Sequence, residues 1–185
     1  NSGERIALRL NRAQRRMLET MERRRRSGEP VRVVLLKARQ WGGSTATQIY
    51  MAWLQLIHKT GLNSLIISQV KDTSVEILDM FTRMINRYPT AMLHALGEAY
   101  SETESKWAGV GNTGNIHRIP QRNCKIKIGT AEKPDSCRGG DYNLVHLSEV
   151  GIWKKTEGKE PADIVRSACS GILYKPYTMI VYEST

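Results

Sequence analysis

Several features that would announce a simple functional class are scarce here. Among 185 residues there are only 3 cysteines. Cys124, Cys137 and Cys169 are odd in number and lack CxxC spacing, which argues against a zinc site and a disulfide framework and fits a reducing cytoplasm. Long apolar runs are also missing. Val33-Val34-Leu35-Leu36 and Leu65-Ile66-Ile67 are strand length, far below the roughly 20 residues that cross a bilayer. No membrane anchor is expected. The chain opens on Asn1 without a charged-then-apolar leader, which predicts no secretory signal. Internal repeats and low-complexity segments are absent, so a solenoid is set aside. His58, His94, His117 and His146 are scattered without metal-ligand spacing, and His146, inside a strand-like run, reads as a packed histidine.

What is present has globular proportions, 40% apolar and 25% charged residues, which excludes global disorder and fibrous repeats. The length suits one domain with a sizeable core, spanning 1–185, with 1–28 as a lead-in helix region. The sequence stops at Thr185 directly after a strand-like run, which suggests a fragment. A net charge of +10 favours a polyanionic partner, nucleic acid first. The densest basic run, Arg23-Arg24-Arg25-Arg26, reads as a solvated helix end suited to the negative pole of the macrodipole, ahead of DNA contact.

Periodicity then divides the chain into elements. Leu10, Gln14, Met17, Leu18 and Met21 recur at helical spacing, and Gly28-Glu29-Pro30 ends that helix. Apart from Arg32, Val31 to Leu36 is a β-branched and aliphatic run, which reads as a strand buried on both faces of a parallel sheet. A glycine loop follows, then a helix over Ser44–His58 with Gly61 as its C-cap signal. A strand over Ser64–Ser68 leads into a helix from about Asp72 to Arg87, with Asp72 or Thr73 as N-cap. The polar stretch 97–114 reads as a long loop. Ile116–Ile119 and Cys124–Ile128 form a hairpin around Pro120-Gln121-Arg122-Asn123. Asn143–Leu147 is a further strand, Ala162–Gly171 a helix and Thr178–Tyr182 the last strand. Strands alternating with helices predict an α/β fold, a mostly parallel sheet with helices on both faces.

The chemistry concentrates in Lys37-Ala38-Arg39-Gln40-Trp41-Gly42-Gly43-Ser44-Thr45. A Walker A loop reads Gly, four residues, Gly, Lys, then Ser or Thr, between a strand and a helix. Gly42 fills the second glycine position and Ser44 the hydroxyl position. Lys37 stands where the first glycine belongs, and Gly43 where the lysine belongs. The departure is tolerable, because phosphate is held mainly by backbone N–H groups and the helix N-terminus, which Gly42 and Gly43 leave unobstructed. Lys37 can bring charge from the other end by folding its stem across the mouth, and Ser44 is placed to ligate Mg²⁺. The bland alternative is a Gly-Gly turn with Lys37 and Arg39 at the surface. Trp41 reads as packing under the loop.

An ATPase of this class also needs a carboxylate at the end of a neighbouring strand, to act on the attacking water. Leu144-Val145-His146-Leu147-Ser148-Glu149 offers Glu149. The usual pair is Asp then Glu, and Ser148 occupies the Asp position, so a hydroxyl that reaches the metal through water replaces a charge.

With these residues in place, the sequence resembles the large terminase subunits of tailed phages, in their N-terminal ATPase domain. The matching segments are "KARQWGGST", "GTAEKPDSCRGGDYNLVHLSEVGIW" and "VYEST", in that order. The resemblance implies a RecA-like fold and Mg²⁺-dependent ATP hydrolysis that drives double-stranded DNA into a prohead. A portal protein, a small terminase subunit and a homo-oligomeric, pentameric ring are the implied partners, in the bacterial host cytoplasm. It implies that Lys37 is a transposed Walker A lysine preceding the Arg39-Gln40 pair, and that Gln14 contacts adenine, against the alternative of a solvent-facing helix residue. Arg138 matches an arginine that completes the neighbouring subunit's site, with Arg39 as the alternative finger in cis. Glu183-Ser184-Thr185 matches the coupling motif that senses the γ-phosphate. The RNase H-like nuclease domain that normally follows is not in this sequence, so nuclease activity is not expected. A degenerate module that binds nucleotide, DNA or protein without turnover remains the rival, supported by Gly43 and Ser148.

Overall fold

Asn11 begins the first helix with a reciprocal cap. Its side chain accepts from the Gln14 backbone N–H at 2.9 Å, while its own N–H donates to the Gln14 side chain at 3.0 Å, satisfying two orphan donors. The computed structural model describes residues 8–89, 91, 108–109, 115–133, 137, 139–155 and 160–185. Among them, α1 (Arg12–Arg26) ends at the Ser27-Gly28 turn, where Gly28 takes a φ of 73°. Strand β1 (Val31–Leu36) follows, then α2 (Gly43–Trp53), which runs on through a π-helical turn at Leu54–His58. Next come β2 (Asn63–Ser68) and α3 (Lys71–Asn86). The short β3 (Ala108–Gly109), β4 (Ile116–Ile119) and β5 (Cys124–Thr130) form an antiparallel meander. β6 (Leu144–Leu147), α4 (Pro161–Cys169) and β7 (Met179–Ser184) complete the order.

Among the described residues the sheet has 7 strands in the order β1-β7-β6-β2-β5-β4-β3. From β1 to β5 all neighbours are parallel, as the alternating pattern predicts, and the hairpin supplies the antiparallel edge. The long loop expected over 97–114 falls largely outside the described residues; Ala108 and Gly109 within it are strand.

Helices cover both faces. One core cluster joins α1, α2 and α3 to the sheet through Met21, Met51, Ile66, Phe81 and Ile126. The other joins α4 and Trp153 through Leu65, Ile67, Val145, Leu147 and Ile164. Leu65, Ile66 and Ile67 are fully buried in the middle of this sandwich, each contributing about 1.5–3 kcal/mol of apolar burial.

Three expectations need correction. β1 is an edge strand rather than one buried on both faces. Among the described residues it pairs only with β7, and Val34 and Leu36 are 83% and 81% exposed. A run that is aliphatic apart from Arg32 reads as covered on both faces, but Arg32 shares the uncovered face with Val34 and Leu36. The α3 helix starts at Lys71 after Val70, without the expected Asp72 or Thr73 side-chain cap. The arginine run is not uniformly solvated. Arg25 is mostly buried, held by Glu22 and stacked against Trp53 and Tyr177 with its Cζ 5.7 Å from each ring centroid.

Candidate active site

In parallel α/β sheets the carboxyl ends of the strands share one rim, and ligands bind there. Here β7 lies between β1 and β6. Leu36 is level with Ser184, and Leu147 is level with Tyr182. The residues just beyond these strands, Lys37, Thr185, Ser148 and Glu149, therefore converge although they are distant in sequence.

Lys37 is the hub. Its Nζ donates to Glu149 Oε1 at 2.9 Å and lies 3.0 Å from Glu183 Oε1. The other Glu149 oxygen accepts from the Thr185 hydroxyl at 2.9 Å and the Thr185 N–H at 3.2 Å. Partial burial alone would raise the Glu149 pKa, but the Lys37 and Thr185 contacts outweigh it and hold the carboxyl below its ordinary value. Burial pulls the Lys37 pKa down, and its two carboxylate partners more than reverse that. Glu149 sits at φ 56°, ψ 39°, a left-handed conformation that costs a non-glycine residue about 1–3 kcal/mol and clusters at functional sites.

Glu183 is fully buried. Burial would raise its pKa, yet His146, Ser44 and Lys37 together lower it to about 2. The Ser44 hydroxyl donates to Glu183 Oε1 at 2.5 Å, and His146 Nε2 meets Glu183 Oε2 at 2.5 Å. His146 is thus packed, as expected, and is also a partner of the site. Strand periodicity held a signal for this: His146 lies two residues before Ser148, so both side chains face the same side of β6.

The loop explains its own departures. Gly42, at the start of α2, has a φ of 76°, which favours glycine. A Cβ on Gly43 would stand 2.6 Å from the Trp41 ring and 3.0 Å from Lys37 Cδ. The usual lysine position is therefore occupied by the stem of the transposed lysine and by Trp41, which packs against the core beneath. Gln14 is not solvent-facing. Its Nε2 donates to the Trp41 and Gly42 carbonyls, each at 3.2 Å, so the lead-in helix fixes the loop. Arg39 and Gln40 are exposed at the turn, Gln40 at φ 57°. Thr45 turns its hydroxyl to the Met80 sulfur at 3.6 Å. Ser148 is buried, and its carbonyl accepts from the Trp153 indole at 3.0 Å. Arg138 lies outside the described residues.

Among the described residues no group of three or more His, Cys, Asp and Glu forms a metal cage. Mg²⁺ in phosphate sites typically takes one or two protein oxygens, with phosphate and water completing the shell. Ser44 at a helix start, backed by the Glu183 carboxylate, fits that demand. A cavity of about 420 Å³ lies elsewhere, between α3 and the end of β5, lined by residues such as Leu78 and Ile128. None of the converging groups lines it. No described helix is long and apolar enough to cross a membrane.

No protein-family model matches the sequence, and comparison with curated proteins gives no match. Solved structures do match. The large terminase of bacteriophage HK97 superposes with a TM-score of 0.67 at 15% identity, over 96% of this chain and 33% of that one. The large terminase ATPase domain of Thermus phage P74-26 gives a TM-score of 0.52 at 18% identity, over 97% of this chain and 71% of that one. A mutant of the same domain gives 0.50 at 17% identity. The chain therefore has the fold of a large-terminase ATPase domain, RecA-like α/β, and spans about a third of the HK97 protein.

Proposed function

We propose that this chain is the ATP-hydrolysing motor domain of a phage large terminase subunit, 1–185 forming a single domain. The observation that carries the reading is the convergence of Lys37, Glu149 and Thr185 at one sheet rim, beside a glycine-led helix start.

The backbone N–H groups of residues 39–44 and the positive end of α2 receive the phosphates of ATP. Lys37 exchanges its carboxylate partners for phosphate oxygens. Its stem already passes over Gly43, so the movement is a swing of the ammonium alone. Glu149, released from Lys37 and still tied to Thr185, orients the attacking water. Ser44 would hold Mg²⁺, which would supply neutralisation of the charge that develops on the phosphates. Arg39 in cis or Arg138 in trans serves as the arginine finger. Glu183-Ser184-Thr185 couples loss of the γ-phosphate to movement, since Thr185 and Glu149 are bonded directly. The resemblance and the excess of basic residues support double-stranded DNA as the translocated substrate. Portal protein, the small subunit and a pentameric ring would assemble with it in the host cytoplasm.

The test is Mg²⁺-dependent ATP hydrolysis in the assembled protein. Glu149→Gln is expected to lower kcat by about 10²–10⁴-fold, with nucleotide binding retained. An unchanged rate would remove Glu149 from its role, and a wild-type protein that binds ATP without turnover would favour the degenerate module.

A further inference from the structure

P-loop enzymes hold Mg²⁺ between the loop hydroxyl and an aspartate on a neighbouring strand. Here the hydroxyl is Ser44, and the aspartate position is Ser148, which carries no charge. The structure offers a carboxylate one strand over. β6 and β7 are parallel with Leu147 opposite Tyr182, so Ser148 and Glu183 follow at the same level. Strand alternation puts Ser148, Glu183 and His146 on one face, the face that meets the start of α2.

Glu183 then makes contacts that suit a metal-site carboxylate. Its Oε1 accepts the Ser44 proton at 2.5 Å. A serine hydroxyl has one proton and two lone pairs; with the proton committed to Glu183, the lone pairs remain for a cation. Its Oε2 is fixed from behind by His146 Nε2 at 2.5 Å, both side chains being fully buried. The same Oε1 lies 3.0 Å from the Lys37 ammonium. The carboxylate therefore already has a cation against it, and transfer of Lys37 to phosphate would leave that place for another.

Resting on the nucleotide-site reading above, we propose that Glu183 replaces the missing strand-end aspartate of the Mg²⁺ site. It holds Ser44 as metal ligand and supplies the negative charge that Ser148 lacks. The carboxylate has moved from β6 to its neighbour β7 at the same height. The acidic residue of the coupling motif is then part of the metal site, and the strand that joins the loop to Glu149 reports on the metal as well as on phosphate.

Mn²⁺, followed by its electron paramagnetic resonance signal, serves as the probe, titrated into protein saturated with a non-hydrolysable ATP analogue. Metal-free analogue affinity is measured in parallel. Glu183→Gln is expected to weaken Mn²⁺ binding by about tenfold or more, the usual cost of losing a group that supports a metal ligand, without weakening metal-free analogue binding. Adding Ser148→Asp to that variant returns a carboxylate to the same face and is expected to restore most of the affinity. Wild-type Mn²⁺ affinity in Glu183→Gln overturns the proposal.

Glu183 is buried, so folding is checked by thermal melting. Ser148→Ala gives a second test that leaves the ionic network intact. Mn²⁺ affinity close to wild type is expected; a loss of about tenfold would place the metal on Ser148 and overturn the assignment to Glu183. A wild-type protein that binds no analogue at all marks failure of the nucleotide-site reading instead, and is distinguishable in the first titration.

Discussion

Two clusters of charge stand at opposite ends of the sheet. At the amino ends of β1 and β7, Glu22 accepts from Arg25 at 2.5 and 2.8 Å, Arg26 at 2.9 Å and Tyr50 at 3.2 Å. Arg25 also donates to the Tyr177 hydroxyl at 3.1 Å. At the carboxyl ends, Glu183 and Glu149 share Lys37. The two clusters have much in common. Glu22 and Glu183 both have pKa values of about 2. Each cluster also contains a non-glycine residue with positive φ, Tyr177 at 60° and Glu149 at 56°. A depressed carboxylate and a strained backbone therefore do not by themselves mark a site.

The partners distinguish them. Glu22 is met by a rigid guanidinium fork from its own helix and by aromatic rings that leave Arg25 little freedom. Glu149 and Glu183 share one flexible ammonium and take further bonds from hydroxyls, with the buried His146 behind Glu183 alone, beside first-turn backbone N–H groups that need an acceptor. The first arrangement is closed and fastens α1 to α2 and to the segment before β7. The second can exchange its partners, as a nucleotide site requires.

Substitutions separate the two clusters. Lys37→Ala is expected to weaken ATP binding by about 10–100-fold, the worth of a hydrogen bond between charged groups, as measured by calorimetry; unchanged affinity would end the transposed-lysine argument. Gly43→Ala places a methyl against Trp41 and the Lys37 stem. Overpacking of about 1–3 kcal/mol should appear as weaker ATP binding, by about tenfold. Arg25→Ala should behave oppositely. It is expected to cost about 2 kcal/mol of stability, or about 4–8 °C in Tm for a chain of this size, while ATP affinity stays at the wild-type value. A loss of ATP binding there would show that the amino-end cluster is not merely a fastening.

A further expected effect concerns pH. Burial opposes the lowering of the Glu22 pKa, but the Arg25 hydrogen bond outweighs it as the largest cause, leaving a value of about 2. That is below the unfolded value of about 4.3. A depressed folded pKa contributes stability above the unfolded value and loses it as pH falls toward the folded one. Acid melts of wild type should therefore decline between about pH 5 and 2, and Glu22→Gln, already less stable, should decline less steeply.

Much of the fold was legible because its signals are local. The alternation of elements, the hairpin around Pro120 and the helix after Gly43 all rest on neighbouring residues, and all are present. Strand order is not local. Residues 31 to 36 do not reveal that β7 is their one neighbour among the described strands; Arg32, which strand alternation puts on the face of Val34 and Leu36, is the one local hint that this face is exposed. The loop, Glu149 and the 183–185 segment could be named from sequence, but their bonds could not. The capping of α1 by Asn11 and Gln14 leaves Gln14 Nε2 free to reach the Trp41 and Gly42 carbonyls, a contact between residues 27 and 28 apart in the chain. His146 likewise meets Glu183 across 37 residues, and only strand periodicity hinted at the face it uses.

Whether the rim around Lys37 is an ATP site is decided by a crystal structure with a non-hydrolysable ATP analogue and Mg²⁺. The triphosphate is expected on the backbone N–H groups of residues 39–44, with the Lys37 ammonium moved from Glu149 to phosphate. A triphosphate bound instead in the cavity between α3 and β5, with the Lys37–Glu149 pair undisturbed, would contradict it.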